Sequence, residues 1–186
     1  MAISDIISDC EDRMKKTVEA VDRELGAIRT GHAHVGLVDH VRVDYFGQML
    51  PVNQLGTVAA PEARLLTIQP WDKTALSAIE KALQKSDIGV TPSNDGQMIR
   101  LNLPPLTETR RKELIKMVST RLEDGKVAVR NVRRDALEQV KKMVNSKEAS
   151  EDEQRKAQDA AQKLTDRFIA QIEAHGRDKE QELSEV

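Results

Sequence analysis

Apolar or small residues at Ile115, Val118, Leu122, Gly125, Val129, Val132, Ala136, Val140 and Met143 follow one another mostly in steps of three and four. That is the period of a helix packed along one seam. The pattern predicts a single helix from Leu106 to about Asn145, and a rise of about 1.5 Å per residue makes it a rod of about 60 Å. A rod of that length needs partners beside it. The amino-terminal segment supplies one, because Ile3, Ile7, Cys10, Met14, Val18, Val21, Leu25 and Ile28 repeat with helical spacing. Ser4 or Asp5 can cap its start, and Gly31 stands where a left-handed residue ends a helix. A third helix is announced by Ser150-Glu151-Asp152-Glu153, which has capping-box form, and carries Ala157, Ala161, Leu164, Phe168, Ile172 and Leu183 on one side.

Between the first two helices the period changes. Val41, Val43 and Tyr45 alternate with Arg42 and Asp44, Leu66 and Ile68 sit in a short apolar run, and Ile99, Leu101 and Leu103 alternate with Arg100 and Asn102. These are strand patterns, and Gly47 offers a turn. Asp72 can cap a short helix bearing Ala75, Ile79 and Leu83, which Ser86 to Gly89 closes. Pro104-Pro105 then stops any ladder or helix. The expected architecture is α+β: a three-helix bundle from residues 1–30 and 106–186, with a small α/β domain inserted at 31–105. Two short connections side by side form a hinge at Thr30, Gly31, Pro104, Pro105 and Leu106, with relative domain motion expected.

Composition fits this picture and adds charge to it. Only 2% of the 186 residues are aromatic and 32% are charged, so the cores must be aliphatic. The formal net charge is −2 and the sequence pI about 6.1, which excludes indiscriminate binding to nucleic acid. The local balance differs. From Thr107 to Lys147 there are 12 Lys/Arg against 6 Asp/Glu, while from Glu148 to Val186 there are 11 acids and 6 bases. At about 100° per residue, Lys112, Lys116, Lys126, Arg130, Arg133, Arg134 and Lys141 share one sector flanking the apolar seam. A positive stripe on a stiff rod suits a line of phosphates, and guanidinium forks suit them best. A solvated charged face is the plainer reading of any single long helix.

Catalytic and ligand chemistry finds no foothold. Gly26 to Ala33 has the glycine spacing of a phosphate loop, but His32 and Ala33 stand where Lys and Ser/Thr are needed, and the segment follows a helix. His32, His34 and His40 with Asp39 and Asp44 lack metal-ligand spacing, so no metal is expected there. Cys10 lies on an apolar seam, where an inert buried thiol is expected, and a lone cysteine suits a reducing compartment. Trp71 is expected in the core or at a domain rim. With four aromatics in all, base stacking gives way to contacts with phosphates and duplex shape. No cofactor is called for, and neither a leader nor an apolar span is present, so a cytoplasmic protein without a membrane partner is expected.

Several stretches together carry a resemblance: IRTG at Ile28 to Gly31, VDYFG at Val43 to Gly47, the Pro51 to Leu55 segment, IEKAL at Ile79 to Leu83, Ser86 to Gly89, IRLNLPPLTETRRKEL at Ile99 to Leu114, and VAVRNVRRDA at Val127 to Ala136. Over nearly its whole length the chain resembles the ribosome recycling factor family. The resemblance implies an elongated three-helix bundle with an inserted β/α/β domain, hinged and L-like as a tRNA is. It also implies a monomeric, non-enzymatic factor that enters the post-termination ribosome and, with elongation factor G and GTP, promotes separation of the subunits. Bundle arginines would contact large-subunit ribosomal RNA near the intersubunit bridges, and no DNA is involved. Carried onto matching positions, these are Arg111, Arg130 and Arg133, with Arg29 of IRTG a further candidate and Arg134 and Lys126 neighbouring members of the stripe. The small domain would meet elongation factor G. His32 departs from the basic residue that commonly follows the IRTG glycine.

A second class stays open on periodicity alone: a coiled-coil scaffold or chaperone-like module whose charges only keep it soluble. Ribosome co-sedimentation over a salt series separates the two, because phosphate binding weakens steeply as salt rises.

Overall fold

The computed structural model describes residues 2–186. The chain divides into two compact units, one from residues 1–29 and 109–183, the other from residues 30–108 and 184–186. The chain therefore passes between them three times, the last time just before its final three residues.

The first unit is a bundle of α1 (Ile3–Ala27), α3 (Glu108–Asn145) and α4 (Glu151–Ser184). The 38 residues of α3 make a rod of about 57 Å. Buried side chains on α1 are Ile6, Cys10, Met14, Val18, Val21 and Leu25, and on α3 Leu114, Val118, Val129, Val132, Ala136 and Val140. The seams are those of the sequence pattern, with shifts near the ends: Ile6 and Leu114 are buried, while Ile3 and Ile7 are half-buried and Ile115 is 40% exposed. On α4 the buried Thr165 lies beside the half-buried Leu164, and its hydroxyl donates to the Ala161 carbonyl at 2.8 Å. That local bond removes the cost of burying the group.

Two glycines set how closely the helices approach. A Cβ at Gly125 would lie 2.5 Å from Val21 Cγ2 and 3.4 Å from Ile172 Cδ1, and one at Gly176 would lie 2.4 Å from Leu122 Cδ1. Hydrogen at these positions lets the three helices meet at mid-length. Arg13–Asp135 (2.9 Å) and His175–Asp22 (3.0 Å) lie across the helix pairs, and Arg167 pairs with Glu11. Exposed pairs of this kind contribute little each, but Arg13–Asp135 with Arg121–Glu24 sets α1 antiparallel to α3, and Glu11–Arg167 with Asp22–His175 sets α1 parallel to α4. Cys10 is buried, and that burial pushes its thiol pKa up.

Ser150 caps α4 as its sequence form predicts: the Ser150 N–H donates to Glu153 Oε2 at 2.8 Å and the Glu153 N–H to Ser150 Oγ at 3.2 Å. At α1 the reciprocal half alone is present, the Ala2 N–H donating to Asp5 Oδ2 at 2.9 Å. The helix stops at Ala27, and Ile28 is its extended cap. Gly31 has the left-handed backbone expected of it, φ +76°, but three residues beyond the cap.

In the second unit β1 (Arg42–Tyr45) and β2 (Gln48–Pro51) form a hairpin. Strands β3 (Gly56–Glu62), β4 (Leu65–Pro70), β5 (Ser93–Asn94) and β6 (Ile99–Asn102) form an antiparallel sheet in the order β3-β4-β6-β5. Helix α2 (Leu76–Lys85) connects β4 to β5 and follows a short 3-10 turn capped by Asp72, which accepts from the Thr74 N–H at 3.0 Å. Leu66, Ile68, Ile79, Leu83, Ile99 and Leu101 form its aliphatic core with Val43. Trp71 departs from expectation: it is 70% exposed. Pro70 fills the buried position before it, and the Trp71 N–H bonds to the Leu55 carbonyl, so the indole is turned away from the core.

Candidate nucleic-acid interface

The arginine-rich middle of α3 is positioned by the seam on its opposite side. Val129, Val132, Ala136 and Val140 face the other helices, and that fixes Arg130, Arg133, Arg134 and Lys141 at the edge and outside of the bundle. With Leu137, Glu138, Gln154 and Gln158 they line an open groove of about 480 Å³ where α3 runs beside α4. Four cations share this groove with one carboxylate, and Glu138 Oε1 lies 3.5 Å from Lys142 Nζ. Arg130 and Arg134 are exposed and have no ion-pair partner among the described residues. Asp135, next in sequence, is engaged by Arg13 of α1. Arg133 is half-buried, and its Nη1 donates to Gln162 Oε1 at 2.7 Å. Gln162 in turn donates to Asp166 at 2.8 Å. A neutral amide therefore orients this guanidinium and leaves its charge uncompensated, a suitable state for gripping phosphate.

Lys126 is different. Its side chain is 17% exposed, with Nζ 3.2 Å from Glu123 and 3.3 Å from Glu173 of α4. Burial alone would depress its pKa, but the hydrogen bonds to both carboxylates outweigh that and raise it. The ammonium is thus committed to the α3–α4 contact. Helical angle alone placed it in the stripe, and the neutralising Glu173 comes from a segment the angle does not consider.

Arg111 is half-buried near the start of α3, and Arg29 is exposed just past the end of α1. The antiparallel register puts both at one end of the bundle, with Arg111 about 28 Å along the rod from Arg130. Lys112 and Lys116 are exposed between them. Gln154, Gln158 and Gln162 carried no signal in the sequence, since a glutamine on a polar helix face looks like solvated surface.

The residues at the connections are brought together within the second unit. A Cβ on Gly31 would lie 3.3 Å from Leu106 Cδ2 and 3.4 Å from Val186 Cγ1. Thr30 is buried, while Pro104 and Pro105 are exposed. His32 Nδ1 donates to the Ala33 carbonyl at 3.1 Å, and its Nε2 is 3.6 Å from Glu185. The last residues of the chain thus pack where the sequence showed only Gly31 and Leu106. No group of three metal-ligating side chains occurs among the described residues, and none of their helices is long and apolar enough to cross a membrane.

A helical bundle interrupted by a small antiparallel sheet unit, with a cationic groove on its long central helix, describes a class of α+β proteins built for contact. The family model for ribosome recycling factor matches residues 21–183. The chain is 53% identical to the ribosome-recycling factor of Oleidesulfovibrio alaskensis over 181 residues, covering 97% of this chain and 98% of that one. With the ribosome-recycling factor of Nitratidesulfovibrio vulgaris it shares 52% over 186 residues, all of both chains. Among solved structures, the solution structure of a ribosome recycling factor is similar at a TM-score of 0.70, with 40% identity, covering 100% and 99% of the two chains. A second, the Thermus thermophilus ribosome recycling factor, described with Escherichia coli elongation factor G on the post-termination complex, matches at 0.63 with 43% identity, covering 98% and 99%. The chain belongs to the ribosome recycling factor family, a family of non-enzymatic translation factors acting in ribosome recycling. The scaffold reading is not favoured.

Proposed function

We propose that this protein binds the post-termination ribosome through the arginine face of α3 and, with elongation factor G and GTP, promotes its separation into subunits. The observation that carries the reading is the open cluster of Arg130, Arg133, Arg134 and Lys141, four cations whose groove holds Glu138 as its one carboxylate. The likeness to a factor described with elongation factor G on the post-termination complex supports it. In this reading the groove holds phosphates of large-subunit ribosomal RNA near the intersubunit bridges, with Arg111 and Arg29 making a second contact at the other end of the rod. Lys126 serves the bundle instead. The protein acts as a cytoplasmic monomer, without DNA or membrane partners. Thr30, Gly31, Pro104, Pro105 and Leu106 form the hinge between domains at 1–30 with 106–186 and at 31–105, and two compact units support that division. The inserted domain meets elongation factor G, whose GTPase supplies the energy.

The test is light scattering of post-termination ribosomes mixed with the protein, elongation factor G and GTP. Subunit splitting above the level without this protein is expected. No gain sinks the reading.

A further inference from the structure

Two cations of the α3 stripe meet α4, and they meet different chemistry there. Lys126 Nζ lies 3.3 Å from the Glu173 carboxylate, whereas Arg133 Nη1 donates to the Gln162 amide oxygen at 2.7 Å. Acids outnumber bases by 11 to 6 from Glu148 to Val186, so an amide at this position is not what the composition of the segment would supply. The far side of the amide is fixed too. Gln162 Nε2 donates to Asp166 Oδ1 at 2.8 Å, one turn further along α4. A guanidinium only donates and a carboxylate only accepts, so a single orientation of the amide satisfies both. Asp166 therefore holds the Gln162 oxygen toward Arg133, and a neutral group stands between the two charges. A glutamate in place of this glutamine would pair with Arg133 and cancel the charge that a phosphate needs.

The row of amides continues into the groove. Gln158 and Gln154 stand one and two turns before Gln162, at steps of about 6 Å, and both line the groove that holds Arg130, Arg134 and Lys141. Neither amide has a hydrogen-bond partner among the described residues. The carboxylate that lines the groove, Glu138, comes from α3 and lies 3.5 Å from Lys142. Helix α4 thus gives the arginines a wall that donates and accepts hydrogen bonds without taking up their charge. Side chains of that kind bond sugar and phosphate oxygens along a nucleic-acid backbone, beside the cations that neutralise it. We propose that α4 is the second wall of the RNA site: Gln162, held by Asp166, is a positioning residue that presents Arg133 to the RNA backbone, and Gln158 bonds that backbone directly. This rests on the functional reading above, in which α3 grips ribosomal RNA.

Co-sedimentation with post-termination ribosomes over a salt series separates the two roles. Gln162→Leu should weaken binding about threefold to tenfold, because the guanidinium must then be ordered on binding. In an Arg133→Ala background the same change should cost nothing further, and it should leave the salt slope of the otherwise unsubstituted protein as it is. Gln162→Glu should weaken binding at least as much and lower the slope by about one, since one phosphate fewer is neutralised. Gln158→Leu should weaken binding by a similar factor in either background, as an independent contact does. The positioning role is overturned by full affinity in Gln162→Leu, by a loss just as large when Arg133 is already absent, or by a slope that Gln162→Glu does not move. Full affinity in Gln158→Leu overturns the direct contact. If Arg133→Ala itself binds as tightly as the unsubstituted protein, the functional reading falls; if it is weakened while Gln162→Leu is not, this proposal alone falls.

Discussion

The helical unit and the sheet unit solve opposite surface problems. The bundle hides its apolar residues along one seam per helix and leaves charge outside, so its groove holds four cations and one carboxylate. The sheet unit buries a small aliphatic core, packs Tyr45 half-buried against it, and leaves Phe46 81% and Trp71 70% exposed. Had both units carried the same surface chemistry, one kind of partner would have served. The proposed phosphate contact therefore belongs to one unit alone.

The comparison is tested most severely by removing core from one unit alone. Ile79→Ala should cost the sheet unit about 3 to 4 kcal/mol, as expected for a fully buried aliphatic truncated to Ala. The effect should stay in that unit: circular dichroism at the helix band should retain a bundle transition at its original temperature. A single shifted transition would show that the two cores melt as one. In the bundle, Gly125→Val should cost about 2 to 3 kcal/mol by overpacking against Val21, whose β-branched side chain is stiff in a helix. Urea unfolding would read it. Gly176→Ala should be milder, because the atom it meets is the flexible end of Leu122.

Arg133→Ala should weaken ribosome binding by about 1.5 to 3 kcal/mol, the range of a lost charged hydrogen bond. The bundle should stay folded, since the one side-chain partner of Arg133 among the described residues is the exposed Gln162. Lys126→Ala should change affinity much less and stability more, because its ammonium already has two carboxylates. Equal affinity losses from the two variants would break the division drawn along α3. The slope of co-sedimentation against salt should also fall for Arg133→Ala and hold for Lys126→Ala.

Smallest is the cap. Ser150→Ala should cost about 1 kcal/mol. Hydrogen bonds from the Ser150 backbone N–H and hydroxyl hold the Glu153 carboxyl below its ordinary pKa of 4.5. A depressed carboxyl contributes stability above the unfolded value, and the contribution is lost as pH falls through the folded one. The thermal midpoint should therefore be steady at neutral pH and decline in acid below about pH 4.5, with less decline in Ser150→Ala. Asp72 and Asp95 in the sheet unit are held low by their own backbone hydrogen bonds and follow the same sign.

Much of this was legible in the chain, for reasons that are local. The period of three and four from Val118 to Val140 becomes α3 because any register that buries those positions must be helical, and the Ser150 box closes on itself within four residues. The same holds for Asp72, which caps the turn before α2. What was missed lies at element ends and in contacts between distant segments. Leu114 takes the buried place given to Ile115 because steps of three and of four back from Val118 are both helical, and the period alone does not choose between them. Trp71, expected in the core or at a domain rim, is 70% exposed, because Pro70 already fills the core position.

By itself, then, the sequence determined where the helices and main strands run, that the strands are inserted between two helices, and that a positive stripe lies along the central rod. Those features depend on residues within a few positions of one another. Only the tertiary structure decided which cations of the stripe remain free, since Glu173 is 47 positions from Lys126 in the chain yet 3.3 Å from it in space. It also decided that a hairpin tip is tied to the start of a distant turn, through the bond from the Tyr45 hydroxyl to Asp72. Periodicity specifies which way a side chain faces within its own element, and neighbours from elsewhere in the chain settle whether that face stays open.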